Sequence, residues 1–140
     1  MSREDPQFKL RMPVSLRDQA EQSARASGRS LNAELVARLE SSFLGGDTPG
    51  SLIPATRARE LALMARSELP GEVRRRAIES IARAIKLGHN EASVALSDLH
   101  LDFGITDEEL EALFKGVFEE LTQAGYRVKW DDITSLWIEF

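Results

Sequence analysis

Pro6-Gln7-Phe8-Lys9-Leu10-Arg11-Met12-Pro13 is the stretch that decides the fold. It alternates, with Phe8, Leu10 and Met12 on one face and Gln7, Lys9 and Arg11 on the other. A period of two belongs to a strand. A proline stands at each end, where a strand can start or stop but not continue. The apolar face is suited to burial. The opposite face offers an amide, an ammonium and a guanidinium, groups that read base edges and phosphates in a major groove wide enough for a two-stranded ribbon. A lone strand has no ladder partner, so the segment requires a second strand, most simply its equivalent in a second copy. The first dozen residues therefore point to a DNA-binding homodimer.

Working outward, Val14 to Ser27 reads as a helix whose less polar positions, Val14, Leu16, Ala20 and Ala24, recur mostly every four residues. Gly28 stands where a helix C-cap glycine belongs. A second helix opens at Arg29-Ser30-Leu31-Asn32-Ala33-Glu34, with Ser30 as the N-cap. Leu31, Leu35, Val36, Leu39 and Phe43 line one face of it, and Gly45-Gly46 ends it. Strand, helix, helix within 44 residues is a ribbon–helix–helix unit.

Asp5-Pro6-Gln7-Phe8-Lys9-Leu10-Arg11-Met12-Pro13 followed by Gly28-Arg29-Ser30-Leu31-Asn32-Ala33-Glu34-Leu35 resembles the Arc/Mnt repressor family of bacteriophages. The resemblance covers roughly residues 2–44 and rests on an outward polar triplet, a proline and a Gly-Arg-Ser-x-Asn-x-Glu turn at matching separations. It implies that Gln7, Lys9 and Arg11 enter the major groove as base contacts. The family usually carries an amide where this chain has Lys9, so the family's operator is a poor guide to the target here. The chemistry of the three residues agrees with groove reading: Arg11 suits guanine, Gln7 suits adenine, and Lys9 suits guanine or a phosphate. The amides at Ser30, Leu31 and Asn32, at the positive end of the second helix, make a phosphate site that positions without specifying sequence. A solvated strand face is the competing account of the triplet; two helices at the right spacing behind it weigh against that account.

Arg29, Glu34 and Arg38 form a second group. Glu34 and Arg38 lie four apart on one helix, where an exposed pair contributes only a few tenths of a kcal/mol, on the order of 0.2–0.5. The resemblance implies instead a buried Arg–Glu–Arg ion network with a structural role. Neither reading makes these residues catalytic.

Composition narrows the remaining choices. The 140 residues carry a net charge of −5 and no cysteine. Disulfides and thiolate metal sites are excluded, which fits the reducing cytoplasm of a bacterial host cell. No apolar h-region or membrane-length apolar run is present in the sequence. The charge divides unevenly: residues 1–44 hold seven basic and six acidic side chains, and residues 45–140 hold eleven and seventeen. DNA affinity must therefore come from concentrated local contacts rather than a broad basic field.

Residues 45–51, Gly-Gly-Asp-Thr-Pro-Gly-Ser, read as a linker, and residues 52–140 as a separate module. Ala55 to Leu69 predicts one helix. Pro70 predicts the start of another, with Val73, Ala77, Ile78, Ile81, Ala84 and Ile85 on its apolar face and Gly88 at its end. The Arg74-Arg75-Arg76 run is read as a solvated helix face, since Glu72, Glu79, Arg83 and Lys86 lie at pairing distances. Ser93 to Leu99 predicts a strand. Thr106-Asp107-Glu108-Glu109 is a capping box leading a helix through Leu110, Leu113, Phe114, Val117, Phe118 and Leu121 to Gly125. Tyr126 to Trp130 and Ser135 to Phe140 predict a hairpin around Asp131 to Thr134. The expected fold is α+β: a ribbon–helix–helix unit over 1–44, then an ααβαββ module with Trp130, Trp137 and Phe140 in its core or, on a terminal hairpin, at an interface.

The module shows no catalytic pattern. His89 and His100 have no companion cysteine, and Asp107, Glu108, Glu109 and Glu111 cluster where they complement a helix dipole. No enzyme activity, metal or cofactor is expected. The sequence thus predicts a sequence-specific transcriptional repressor that binds double-stranded DNA as a homodimer, with a C-terminal module that either joins dimers into a tetramer on adjacent half-sites or receives a protein or small-molecule signal. The alternative is an antitoxin-like or inhibitor protein whose C-terminal module captures a protein partner, with DNA binding for autoregulation. No membrane partner is expected.

Overall fold

The structure, a computed structural model, describes residues 4–44 and 52–140. The expected linker, and the Gly45-Gly46 stop of the second helix, lie outside the described residues. The chain divides into two units, Met1–Met64 and Ala65–Phe140.

In the first unit, residues 6–13 are neither helical nor assigned to a strand within this chain. Helix α1 spans Val14–Ala26 and helix α2 spans Leu31–Ser42. Gly28 takes a left-handed φ of 67° between them, and the Arg29 amide returns to the Ala24 carbonyl at 2.9 Å. A glycine reaches that φ without the Cβ clash other residues meet. Ser30 caps α2, its Oγ accepting from the Ala33 amide at 3.1 Å. Burial inside one copy is slight: Ala20, Ala24, Glu34 and Ala37 are covered on α1 and α2, while Val14, Leu16, Leu39 and Phe43 stay exposed.

Helix α3 runs Ala55–Leu87 and contains Pro70. The expected break at Pro70 is therefore absent: one helix stands where two were read, and the C-terminal order is αβαββ rather than ααβαββ. The physical reason is anchoring on both sides of the proline. Leu69 packs on the second unit's core and Val73, one turn later, is fully buried in it. One turn before, Arg66 donates to the Gly104 carbonyl at 2.8 Å. Packing overrides the lost backbone hydrogen bond, which is how a helix tolerates an internal proline.

The rest of the second unit is strand β1 (Glu91–Ala95), a 3₁₀ turn (Ser97–Leu99), helix α4 (Asp107–Gln123), strand β2 (Arg127–Asp132) and strand β3 (Ser135–Glu139). The three strands form one antiparallel sheet in the order β1-β3-β2. The strand expected at Ser93 to Leu99 starts two residues earlier and stops at Ala95. Arg76 causes the stop, since it donates to the Ala95 carbonyl at 3.0 Å and grips both Asp98 carboxylate oxygens at 2.7 Å, pulling the chain into the turn. The capping box forms in full, with Glu109 N to Thr106 Oγ1 at 3.2 Å and Thr106 N to Glu109 Oε2 at 2.9 Å.

The core joins Val73, Ala77, Ile81 and Ala84 of α3, Phe114, Val117 and Leu121 of α4, and Val94, Leu136 and Ile138 of the sheet. Alternation along β3 buries Leu136 and Ile138 and sends Trp137 to the opposite face, between Ser93 and Lys129 in the register. Of the three aromatics expected in the core, only Trp130 packs there; Trp137 belongs to the outer face and Phe140 is 41% exposed against Tyr126.

Candidate nucleic-acid interface

Gln7, Lys9 and Arg11 are all exposed. The opposite face is bare as well: Phe8 is 87% and Leu10 60% exposed, and only Met12 is half-buried. Large apolar side chains at such exposure, next to one another on a single face, mark a surface that something covers. Within one copy nothing among the described residues does.

Behind the segment, Glu34 is 2% exposed and is the one charged residue buried among those described. Arg29 Nη1 donates to its Oε2 at 3.0 Å and Arg38 Nε donates to its Oε1 at 2.9 Å. Burial pushes the carboxyl's pKa up, but the hydrogen bonds and charges of Arg29 and Arg38 outweigh it and hold the group below its ordinary value. The arginine side chains keep 22% and 47% of their surface in solvent. Ser23 and Ser27 complete the group: Ser27 Oγ donates to Glu34 Oε2 at 3.3 Å, and Arg38 Nη2 donates to Ser23 Oγ at 3.1 Å. Sequence reading missed both serines. They sit four apart at the end of α1, Ser27 as its C-cap, and nothing in the sequence marks that this side of α1 turns toward α2. The ion group therefore bolts α1 to α2 and fixes the start of α2.

Ser30, Leu31 and Asn32 stand at that start, with Ser30 and Asn32 exposed and Leu31 half-buried. The Ser30 hydroxyl oxygen serves the cap. The helix end carries the positive pole of the peptide dipoles. The structure thus groups Arg29, Glu34 and Arg38 directly and sets Ser30, Leu31 and Asn32 beside them. Gln7, Lys9 and Arg11 are exposed to solvent in the segment before α1.

On α2, Glu40 is clamped by Arg57 through Nε at 2.9 Å and through a second, shorter Nη2 contact, and Arg57 also reaches Glu60 at 2.8 Å. The Arg74-Arg75-Arg76 run is consumed in ion pairs within the second unit. Arg74 binds Glu120, Arg75 binds Glu72 and Glu79, and Arg76 binds Glu72 and Asp98. Among the described residues no group of histidines and carboxylates is arranged to hold a metal ion, and no helix is long and apolar enough to cross a membrane.

Residues 2–48 match the family described as the Arc-like DNA-binding domain. The chain is also similar to the regulatory protein mnt of Salmonella phage P22, at 47% identity over 36 residues. That match takes in 26% of this chain and 43% of the phage protein, so less than half the relative's length is spanned. No solved structure matches the chain. Gln7, Lys9 and Arg11, helices α1 and α2 and the buried ion group all fall inside the matched residues, and residues 2–48 of this protein are an Arc-like DNA-binding domain.

Proposed function

We propose that the protein is a sequence-specific transcriptional regulator, a repressor, that reads a major groove with a two-stranded ribbon built from residues 6–12 of two copies. One observation carries this reading. The alternating segment of an Arc-like domain presents Gln7, Lys9 and Arg11 to solvent on one face while its apolar face lies bare in a single copy. Pairing two such strands would cover Phe8 and Leu10 and leave a six-residue polar row pointing one way. In that row Arg11 makes a bidentate contact to guanine, Gln7 contacts adenine, and Lys9 contacts guanine or a phosphate. The start of α2, at Ser30, Leu31 and Asn32, holds a backbone phosphate and fixes the ribbon's register in the groove. The Arg29–Glu34–Arg38 group keeps that helix end in place. The regulatory role named for the phage relative supports the same reading.

The test is selection of binding sites from random-sequence duplex DNA by the full chain, followed by titration of the selected site at fixed salt. A Gln7→Ala, Lys9→Ala, Arg11→Ala variant should keep its helical content and lose the sequence preference. A variant that selects the same sequence with the same affinity would overturn the groove assignment.

A further inference from the structure

The second unit holds a groove along one side of its core. The groove has a volume of about 990 Å³ and follows α4 from Glu108 to Gln123, about 22 Å at the rise of an α-helix. Its floor is aromatic: Trp130 meets Phe114 edge-on at 6.0 Å and Phe118 at 5.7 Å. Its rim is acidic. Glu108, Glu111 and Glu119 line it against one cation, Lys115, which already stands 3.8 Å from Glu119.

Beside the groove lies β2, at the edge of the sheet, which among the described residues pairs with β3 alone. Val128 and Trp130 face α4, and Arg127 and Lys129 face the other side of the sheet. A strand laid along this edge would send every second side chain into the groove, and β2's six residues match the groove in length, at about 3.3 Å each. Those inward side chains would meet aromatic rings first and carboxylates above them. Arginine and lysine fit that order, with an apolar stem over the rings and a charged head at the rim. A second copy fits poorly. Two-fold pairing of β2 with itself would bring the two acidic rims together on one side of the sheet, and like charges brought together repel.

We propose that this groove receives an extended segment of a partner polypeptide, carrying arginine or lysine at alternate positions, which adds to β2 as a fourth strand. Main-chain hydrogen bonds to the edge then give affinity, and the groove selects the side chains.

The full chain carrying Trp137→Phe leaves Trp130 as its only tryptophan and so as the fluorescent reporter of the groove. The probe is a heptapeptide capped at both ends that alternates threonine with arginine. Saturable change in Trp130 emission is expected, with shifts in the β2 amide resonances. The Glu111→Lys, Glu119→Lys variant, altered only at exposed residues, should bind about tenfold more weakly or worse. A peptide methylated on the amides of one edge should lose binding to the unaltered protein. Absence of saturable binding, equal binding of the methylated peptide, or unchanged affinity in the charge-reversed variant would each overturn the proposal. So would sedimentation showing a self-association through β2 that the charge reversal abolishes. None of these readouts involves DNA, so failure here and failure of the repressor reading are separately visible.

Discussion

Arg11 and Glu34, 23 positions apart, show how differently two charged residues are used. Arg11 is exposed, so its loss leaves packing untouched. Arg11→Ala should cost about 1–3 kcal/mol of specific DNA binding, as expected for one bidentate base contact, with no change in the unfolding curve. Titration of wild type and variant at matched salt checks it; equal affinity would remove Arg11 from the groove. Glu34 is buried, and its two partners are not. Arg29→Ala leaves a buried carboxylate with one arginine and should cost about 3–5 kcal/mol. Glu34→Gln leaves two arginines that water can reach and should cost less, about 1–3 kcal/mol. Urea unfolding at neutral pH gives the order, and a larger loss for Glu34→Gln would contradict it. Acid should act in the same sense on the second unit. Arg75 and Arg76 hold Glu72 at about 2, and Arg76 holds Asp98 at about 2, both below their ordinary values. A carboxylate lowered on folding stabilises the fold above its unfolded pKa and loses that contribution as pH falls through the folded one. The loss therefore belongs between about pH 4.5 and pH 2, and because both groups are exposed it should be small and weakened by salt. A pH titration of stability in Glu72→Gln that keeps the wild-type slope in this window would refute it. The polar triplet was legible in the sequence because alternation is visible in the residues themselves. The serines behind Glu34 were not, since their role depends on which way α1 turns toward α2.

At the scale of elements, local signals read true wherever the chain decides locally. The capping box at Thr106 and Glu109, the glycine after α1 and the hairpin closed by Ile133-Thr134 all depend on neighbours within four residues. Thr106→Ala should cost about 0.5–2 kcal/mol through the lost cap, seen as a lower midpoint for the second unit; an unchanged midpoint would mean the box contributes nothing. The misreadings came from contacts made at a distance. Pro70 signals a helix start by itself, yet Leu69 and Val73 pack on one core and carry the helix through it. The end of β1 is set by Arg76 from another element, and no residue between Ser93 and Leu99 announces it. If packing alone carries α3 through Pro70, then Pro70→Ala restores a backbone hydrogen bond with no strain to relieve. It should stabilise the unit by about 1–3 kcal/mol. A destabilised Pro70→Ala would show that the proline shapes the helix rather than interrupting it. Trp137 marks the limit of pattern reading: alternation says that it faces away from Leu136 and Ile138, but only the sheet order says which face has a core.

For the whole molecule, the two units differ in what completes them. The second has a core of its own, whereas the first leaves Phe8, Leu10, Leu39 and Phe43 bare and buries few side chains. Thermal unfolding of the full chain should therefore show one transition that shifts with protein concentration and one that does not. A first-unit midpoint independent of concentration would contradict folding coupled to dimerisation. The sheet order adds a consequence in time. β3, the last strand in sequence, is the middle strand of the sheet, and Ala92 and Val128 both find their ladder partner in Ile138. On a ribosome, β1 and β2 emerge as two orphans that cannot pair with each other, and the hydrophobic faces of α3 and α4 must wait through synthesis of the rest. The second unit should therefore complete its sheet only once β3 has been made, and a chain cut short before Ser135 should keep the first unit's sequence intact and leave the rest unfolded and protease-sensitive.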